Sequence, residues 1–234
     1  MLTAHRLTIG FDADDTLWHN ESLFALTQEK FRTLLAPYVD GTRIDEQLYA
    51  TEARNLEHFG YGIKGFTLSM IETAVELTEG RIGGHEVGQI VEWGRTMLSS
   101  PVELLPGVEE VVAQLGEAYP LLLITKGDLF DQESKLARSG LGGYFQHIEI
   151  VREKDAAVYA AILNKHGVAP DNFLMLGNAV KSDILRVLSI GGKAVHIPYA
   201  ITWQHEVAAP PERDHNGFYH LASLAELPQL VAQL

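Results

Sequence analysis

Apolar positions change their spacing twice along the chain. Leu7 to Phe11 form a largely apolar run that predicts a buried strand, and it gives way at once to Asp12, Asp14 and Asp15 in LTIGFDADDTLW. From about Glu21 to Leu98 the spacing is helical. Phe24, Phe31, Leu34, Leu35 and Tyr38 recur around Pro37, and Leu48, Leu56 and Phe59 precede the glycine-rich break GYGIKG. Phe66, Met70 and Leu77 mark a third helix, and Val87, Ile90, Val91, Gly94, Met97 and Leu98 a fourth. Such a block predicts a small helical bundle.

From Pro101 onward strands and helices alternate. Strands are predicted at Leu121 to Thr125, His147 to Val151, Phe173 to Leu176 and Lys193 to Ile197. Helices follow Pro106–Gly107 and run through Leu136, Leu163 and Leu188. This alternation predicts an α/β fold, a doubly wound parallel sheet covered by helices on both faces. The expected organisation is a core of residues 1–20 and 99–234, interrupted after its first strand by an all-helical cap of four helices at 21–98.

At 234 residues the chain can hold a core domain with an insert. Its formal charge of −13, from 31 acidic and 18 basic residues, leaves no footprint for nucleic acid or anionic membrane. The charge points to a soluble protein acting on small molecules. The absence of cysteine excludes disulfides, thiolate chemistry and Cys-type zinc sites. No apolar run is long enough to span a bilayer and MLTAHRLTIGFD lacks a signal-peptide layout, so a cytoplasmic location is expected.

Parallel strands deliver reactive groups at their carboxyl ends, which places Asp12 and Asp14 side by side at such an edge. Two carboxylates there repel unless a cation sits between them. A divalent metal ion with a free aspartate beside it points to phosphoryl transfer through an aspartyl phosphate. Thr125, Lys126 and Gly127 follow the second strand, where a hydroxyl and backbone N–H groups suit phosphate oxygens; the same stretch also reads as a turn capped by Asp128. Lys154 precedes a helix, where a cation opposes the macrodipole unless it faces an anion; the other reading is a solvated surface lysine. Asn178 and Asp183 follow a strand and Gly177, and their oxygen donors suit Mg²⁺.

Together these clusters resemble the haloacid dehalogenase superfamily over essentially the whole chain. Asp12, Asp14, Thr16 and Leu17 match its first motif, Thr125 its second, Lys154 its third, and Gly177 to Asp183 its fourth, with Asn178 standing where an aspartate is usual. The resemblance implies a Rossmann-like core with a helical cap of the family's first type. It also implies that Asp12 attacks phosphorus while Asp14 protonates the leaving oxygen and later deprotonates water. Thr125 and Lys154 then hold the phosphoryl group, with Lys126 and Gly127 beside it, and Mg²⁺ is bound by Asp12, the Asp14 carbonyl, Asn178 and Asp183. The amide at Asn178 removes one negative charge, so weaker metal binding is expected. Asp14 points to phosphate esters, since members that dehalogenate resemble one another in lacking it.

The function expected is thus Mg²⁺-dependent hydrolysis of a small-molecule phosphomonoester. A sugar phosphomutase, or a phosphometabolite-binding or interaction module with little turnover, stays open as an alternative. Other residues have plainer readings. His196, Trp203, His205 and Glu206 match no standard zinc spacing and read as a packed aromatic loop. Asp15 takes the usual glycine position of the first motif as a turn residue, Trp18 reads as core, and Lys64 reads as solvated, with presentation to an anionic substrate by GYGIKG as the alternative. The cap is expected to move over the site and govern substrate choice.

Overall fold

The computed structural model describes residues 7–212 and 215–234. Met1 to Arg6, which the sequence reading places at the start of the core, lie outside the described residues. Among the described residues six strands form a single sheet: β1 (Thr8–Phe11), β2 (Leu121–Lys126), β3 (His147–Val151), β4 (Phe173–Gly177), β5 (Lys193–His196) and β6 (Phe218–His220). Every neighbouring pair runs parallel, in the order β3-β2-β1-β4-β5-β6. The chain winds outward from β1 in one direction, then returns to β1's other side at β4. That reversal is where an open α/β sheet forms its crevice.

Both faces of the central strands are covered, which is why they read as continuous apolar runs. Ile9, Phe11, Leu121, Leu123, Leu174 and Leu176 pack on one face with Val108, Val112 and Leu115 of α5 (Val108–Ala118). Leu122, Ile124, Phe173 and Met175 point the other way, against Tyr159, Ile162 and Leu163 of α7 (Ala156–Lys165). Adding β6 extends the expected sheet by one strand; with three residues, it is too short for periodicity to reveal. The helix expected through Leu188 opens as a π-helical segment, Val180–Leu185, which a 3.6-residue pattern does not distinguish.

The chain divides into two compact units. One holds the sheet and comprises residues up to Glu21, Val102–Lys126 and Gln132–Leu234. The other comprises Ser22–Pro101 with Gly127–Asp131. It contains α2 (Gly41–Phe59), α3 (Ile63–Leu77), α4 (Gly84–Ser99) and all but the first residue of α1 (Glu21–Leu35). Phe31, Leu35, Ile44, Leu48, Phe66, Met70 and Ile90 form its core. Asp40 caps α2 by accepting from the Thr42 N–H at 2.8 Å.

Grouping of Gly127–Asp131 with the helices differs from the boundary read from the sequence, and its cause is local. Lys64 donates to Asp128 at 2.8 Å and lies over the Phe130 ring at 5.4 Å. The half-exposed Lys64 is thus solvated, as expected, and ion-paired to Asp128 as well. Among the described residues no helix is long and apolar enough to cross a membrane.

Candidate active site

Parallel pairing brings every strand's carboxyl end to one edge of the sheet. The β1 ladder runs one residue past the strand, where the Asp12 N–H donates to the Leu176 carbonyl at 2.9 Å. This holds Asp12 between β1 and β4. Its carboxylate is buried, with Oδ1 2.5 Å from Lys154 Nζ and Oδ2 accepting from Thr16 Oγ1 at 3.0 Å.

Thr16 reaches back because the chain turns tightly after Asp12: the Thr16 and Leu17 N–H groups both donate to the Ala13 carbonyl. Asp15 takes φ 61, the left-handed region that glycine occupies at least cost. Its carboxylate accepts from the N–H groups of Asn20 at 2.8 Å and Glu21 at 3.0 Å, anchoring the start of α1. Burial pushes Asp15 up to about 6 despite those two donors.

Lys154 follows β3 and is buried between two carboxylates, donating to Asp183 Oδ1 at 2.8 Å as well as to Asp12. The reading of Lys154 as a solvated surface lysine is therefore set aside. Burial alone would lower its pKa; the charges of Asp12 and Asp183 overcome this and keep the ammonium protonated well above its ordinary range. Asp12 is pushed up to about 7 by burial, against the pull of Lys154 and with added repulsion from Asp183 and Asp14. One ammonium thus serves two buried carboxylates, leaving room for a further positive charge.

Asp183 is fully buried, with Oδ2 accepting from the Ala179 N–H at 3.1 Å. Asn178 is held by its backbone, whose carbonyl lies 3.1 Å from His196 Nε2. Its Oδ1 lies 3.5 Å from the Thr16 hydroxyl that donates to Asp12. Asp12, Asn178 and Thr16 oxygens therefore surround one small region. An all-oxygen set of this kind suits a hard divalent cation. Among the described residues no three His, Asp or Glu side chains converge as a metal cage.

Asp14 sits in a separate cradle. Oδ1 accepts from Trp18 Nε1 at 2.7 Å and Lys135 Nζ at 3.0 Å; Oδ2 accepts from Gln132 Nε2 at 2.7 Å and Lys135 Nζ at 3.2 Å. Thr125 is buried near the end of β2. Lys126 pairs with Glu206 and lies 5.8 Å from the Trp203 ring centroid, so the aromatic loop engages it. Gly127 belongs to the segment grouped with the helices.

The family model for haloacid dehalogenase-like hydrolases matches residues 7–185, from β1 through Asp183. The chain is a haloacid dehalogenase-like hydrolase. A haloacid dehalogenase-like family hydrolase from Xanthomonas campestris is 41% identical and superposes with a TM-score of 0.89, covering 100% of this chain and 93% of that one. Glyceraldehyde 3-phosphate phosphatase of Pyrococcus furiosus is 26% identical over 136 residues, 56% of this chain and 54% of that protein. N-acylneuraminate-9-phosphatase of Homo sapiens is 26% identical over 171 residues, 70% of this chain and 66% of that protein. The aligned part thus spans between about half and two-thirds of these curated relatives.

Sequence reading of this hydrolase missed Gln132 and Lys135. Both lie on α6 (Leu129–Ser139), buried on one face at a spacing of three. A lysine sharing a helical face with Leu136 was the available signal, because a charge is buried only where it has a partner.

Proposed function

We propose that this hydrolase cleaves a small-molecule phosphomonoester by phosphoryl transfer to Asp12, with Mg²⁺ as its cofactor. The observation that carries the reading is Lys154, buried with its ammonium 2.5 Å from Asp12 and 2.8 Å from Asp183 at the carboxyl edge of the sheet. A fixed buried cation beside a carboxylate is what a nucleophile needs when its target is itself an anion.

An Asp12 oxygen attacks phosphorus and the bond to the leaving oxygen breaks, with Asp14 supplying the proton. Asp14 then takes a proton from water as that water attacks the aspartyl phosphate, releasing inorganic phosphate and restoring Asp12. Thr125 and Lys154 hold phosphoryl oxygens during both steps. Asp12, the Asp14 carbonyl and Asn178 would hold Mg²⁺; Asp183, whose oxygens already meet Lys154 and Ala179, would reach it through water. When bound, the cation offsets charge on the transferring group and favours ionised Asp12. We further assign substrate choice to the helical unit. Two relatives named as phosphatases of small phosphorylated compounds support the substrate class.

Release of phosphate from sugar phosphates, nucleotides, phosphoacids and a generic aryl phosphate, with Mg²⁺ present, tests this reading. Turnover on at least one class is expected; release no faster than background across the panel would favour a binding module.

A further inference from the structure

We propose that Lys135 and Gln132 are positioning residues for Asp14, fixing the carboxylate that exchanges protons with the leaving group. The inference rests on the phosphohydrolase reading above. Asp14 follows a strand by a short turn, in which Trp18 Nε1 alone donates to one of its oxygens, Oδ1, at 2.7 Å. The whole cradle fixes the carboxylate: N–H donors from Trp18, Gln132 and Lys135 meet both oxygens at 2.7 to 3.2 Å. Lys135 is itself buried, which is costly for a long cationic side chain unless its partners are in place. Those partners are Asp14 and Asn20, whose Oδ1 accepts from Nζ at 2.8 Å.

Gln132 carries a matching cost. Its Nε2 serves Asp14 while its Oε1 is buried without a hydrogen-bond partner among the described residues. Four contacts fill the acceptor positions of the carboxylate, so one donor must give way when Asp14 takes up its proton. Both side chains have a second acceptor to turn to, Lys126 O at 3.4 Å for Gln132 and Asn20 Oδ1 for Lys135. The cradle thus sets where Asp14 sits yet permits a donor to be exchanged for a proton.

The test compares kcat/KM for an alkyl phosphate, which needs leaving-group protonation, with that for an activated aryl phosphate, which does not. This parameter reports the steps through phosphoryl transfer to Asp12. Asp14→Asn and Lys135→Met should each raise the aryl-to-alkyl ratio by about tenfold or more. Adding Lys135→Met to Asp14→Asn should change the ratio no further, because Lys135 acts through Asp14. Lys135→Arg should recover part of the loss. If Lys135→Met does not fold, Gln132→Leu carries the same comparison. An unchanged ratio in these variants, while Asp14→Asn shifts it, would overturn the positioning role; so would an effect that persists in full on the Asp14→Asn background. An unchanged ratio in Asp14→Asn itself would remove the acid assignment first, and this inference with it.

Discussion

Gly177 and Asp183 compete for one space: a Cβ on Gly177 would lie 2.1 Å from Oδ2 of Asp183. With no side chain at the end of β4, the Asp183 carboxylate lies against the strand and turns Oδ1 toward Lys154. Gly177→Ala must displace that carboxylate and with it the lysine's second anchor. We expect a loss of roughly 1–3 kcal/mol of stability, as in other overpacked cores. Phosphate release should fall by about tenfold or more, because Lys154 no longer sits squarely on Asp12. Thermal unfolding and a phosphate assay check both; a variant with native melting and native turnover would detach Gly177 from the site.

Removal of divalent cation should abolish activity, and Mg²⁺ should restore it. Asn178→Asp should lower the Mg²⁺ concentration for half-activation, since a carboxylate strengthens a site for a hard cation. A titration of activity against Mg²⁺ in both proteins decides this. An unchanged requirement would take Asn178 out of the ligand set, whereas turnover in chelator would remove the metal from the account.

Glu52, on α2 and partly buried, is pushed up to about 7 by burial. An unfolded chain releases this proton near ~4.3. Between those values the folded protein binds the proton and the unfolded chain does not, so stability falls as pH rises through the window and levels off above it. Glu52→Gln removes the charged form. It should stabilise the protein by roughly 1–3 kcal/mol at about pH 8 and by little at about pH 4. Urea unfolding at the two pH values measures the difference; an equal effect at both would show that Glu52 titrates normally.

Substrate choice is assigned to the helical unit, so replacing residues 22–101 with a short Gly/Ser linker should separate chemistry from selection. Slow hydrolysis of an aryl phosphate should survive while discrimination among larger phosphates is lost. The measurement is the ratio of kcat/KM between a preferred metabolite and the aryl phosphate. An unchanged ratio in a folded deletion variant would place selection in the sheet-bearing unit.

Much of the fold was legible because burial on both faces leaves an unbroken apolar run, as at β2 and β4, and the polar residue ending each run marks the sheet's edge. Asp12 stands out in sequence for that reason, Lys154 as a cation placed before a helix and Asp183 as an oxygen donor after Gly177, and parallel pairing brings them together. What stayed hidden depends on tertiary contacts. β6 has three residues and pairs with β5 at the sheet's edge, so nothing local announces it. Gln132 and Lys135 lie far along the chain from Asp14, and helical spacing does not say which carboxylate their face will meet. The pairing of Lys126 with Glu206 likewise spans eighty positions. Asp15 was identifiable as a turn residue, but its two backbone partners, Asn20 and Glu21, were not.

Phosphorylation of Asp12 is the step on which the proposed mechanism depends. Mixing the protein with an aryl phosphate and Mg²⁺, quenching in acid within the first turnovers and analysing its peptides by mass spectrometry tests this directly. We predict one added phosphoryl group on the peptide that carries Asp12, absent from Asp12→Asn, which should also release no phosphate. Steady phosphate release without a labelled peptide, together with substantial turnover by Asp12→Asn, would show that Asp12 is not the nucleophile.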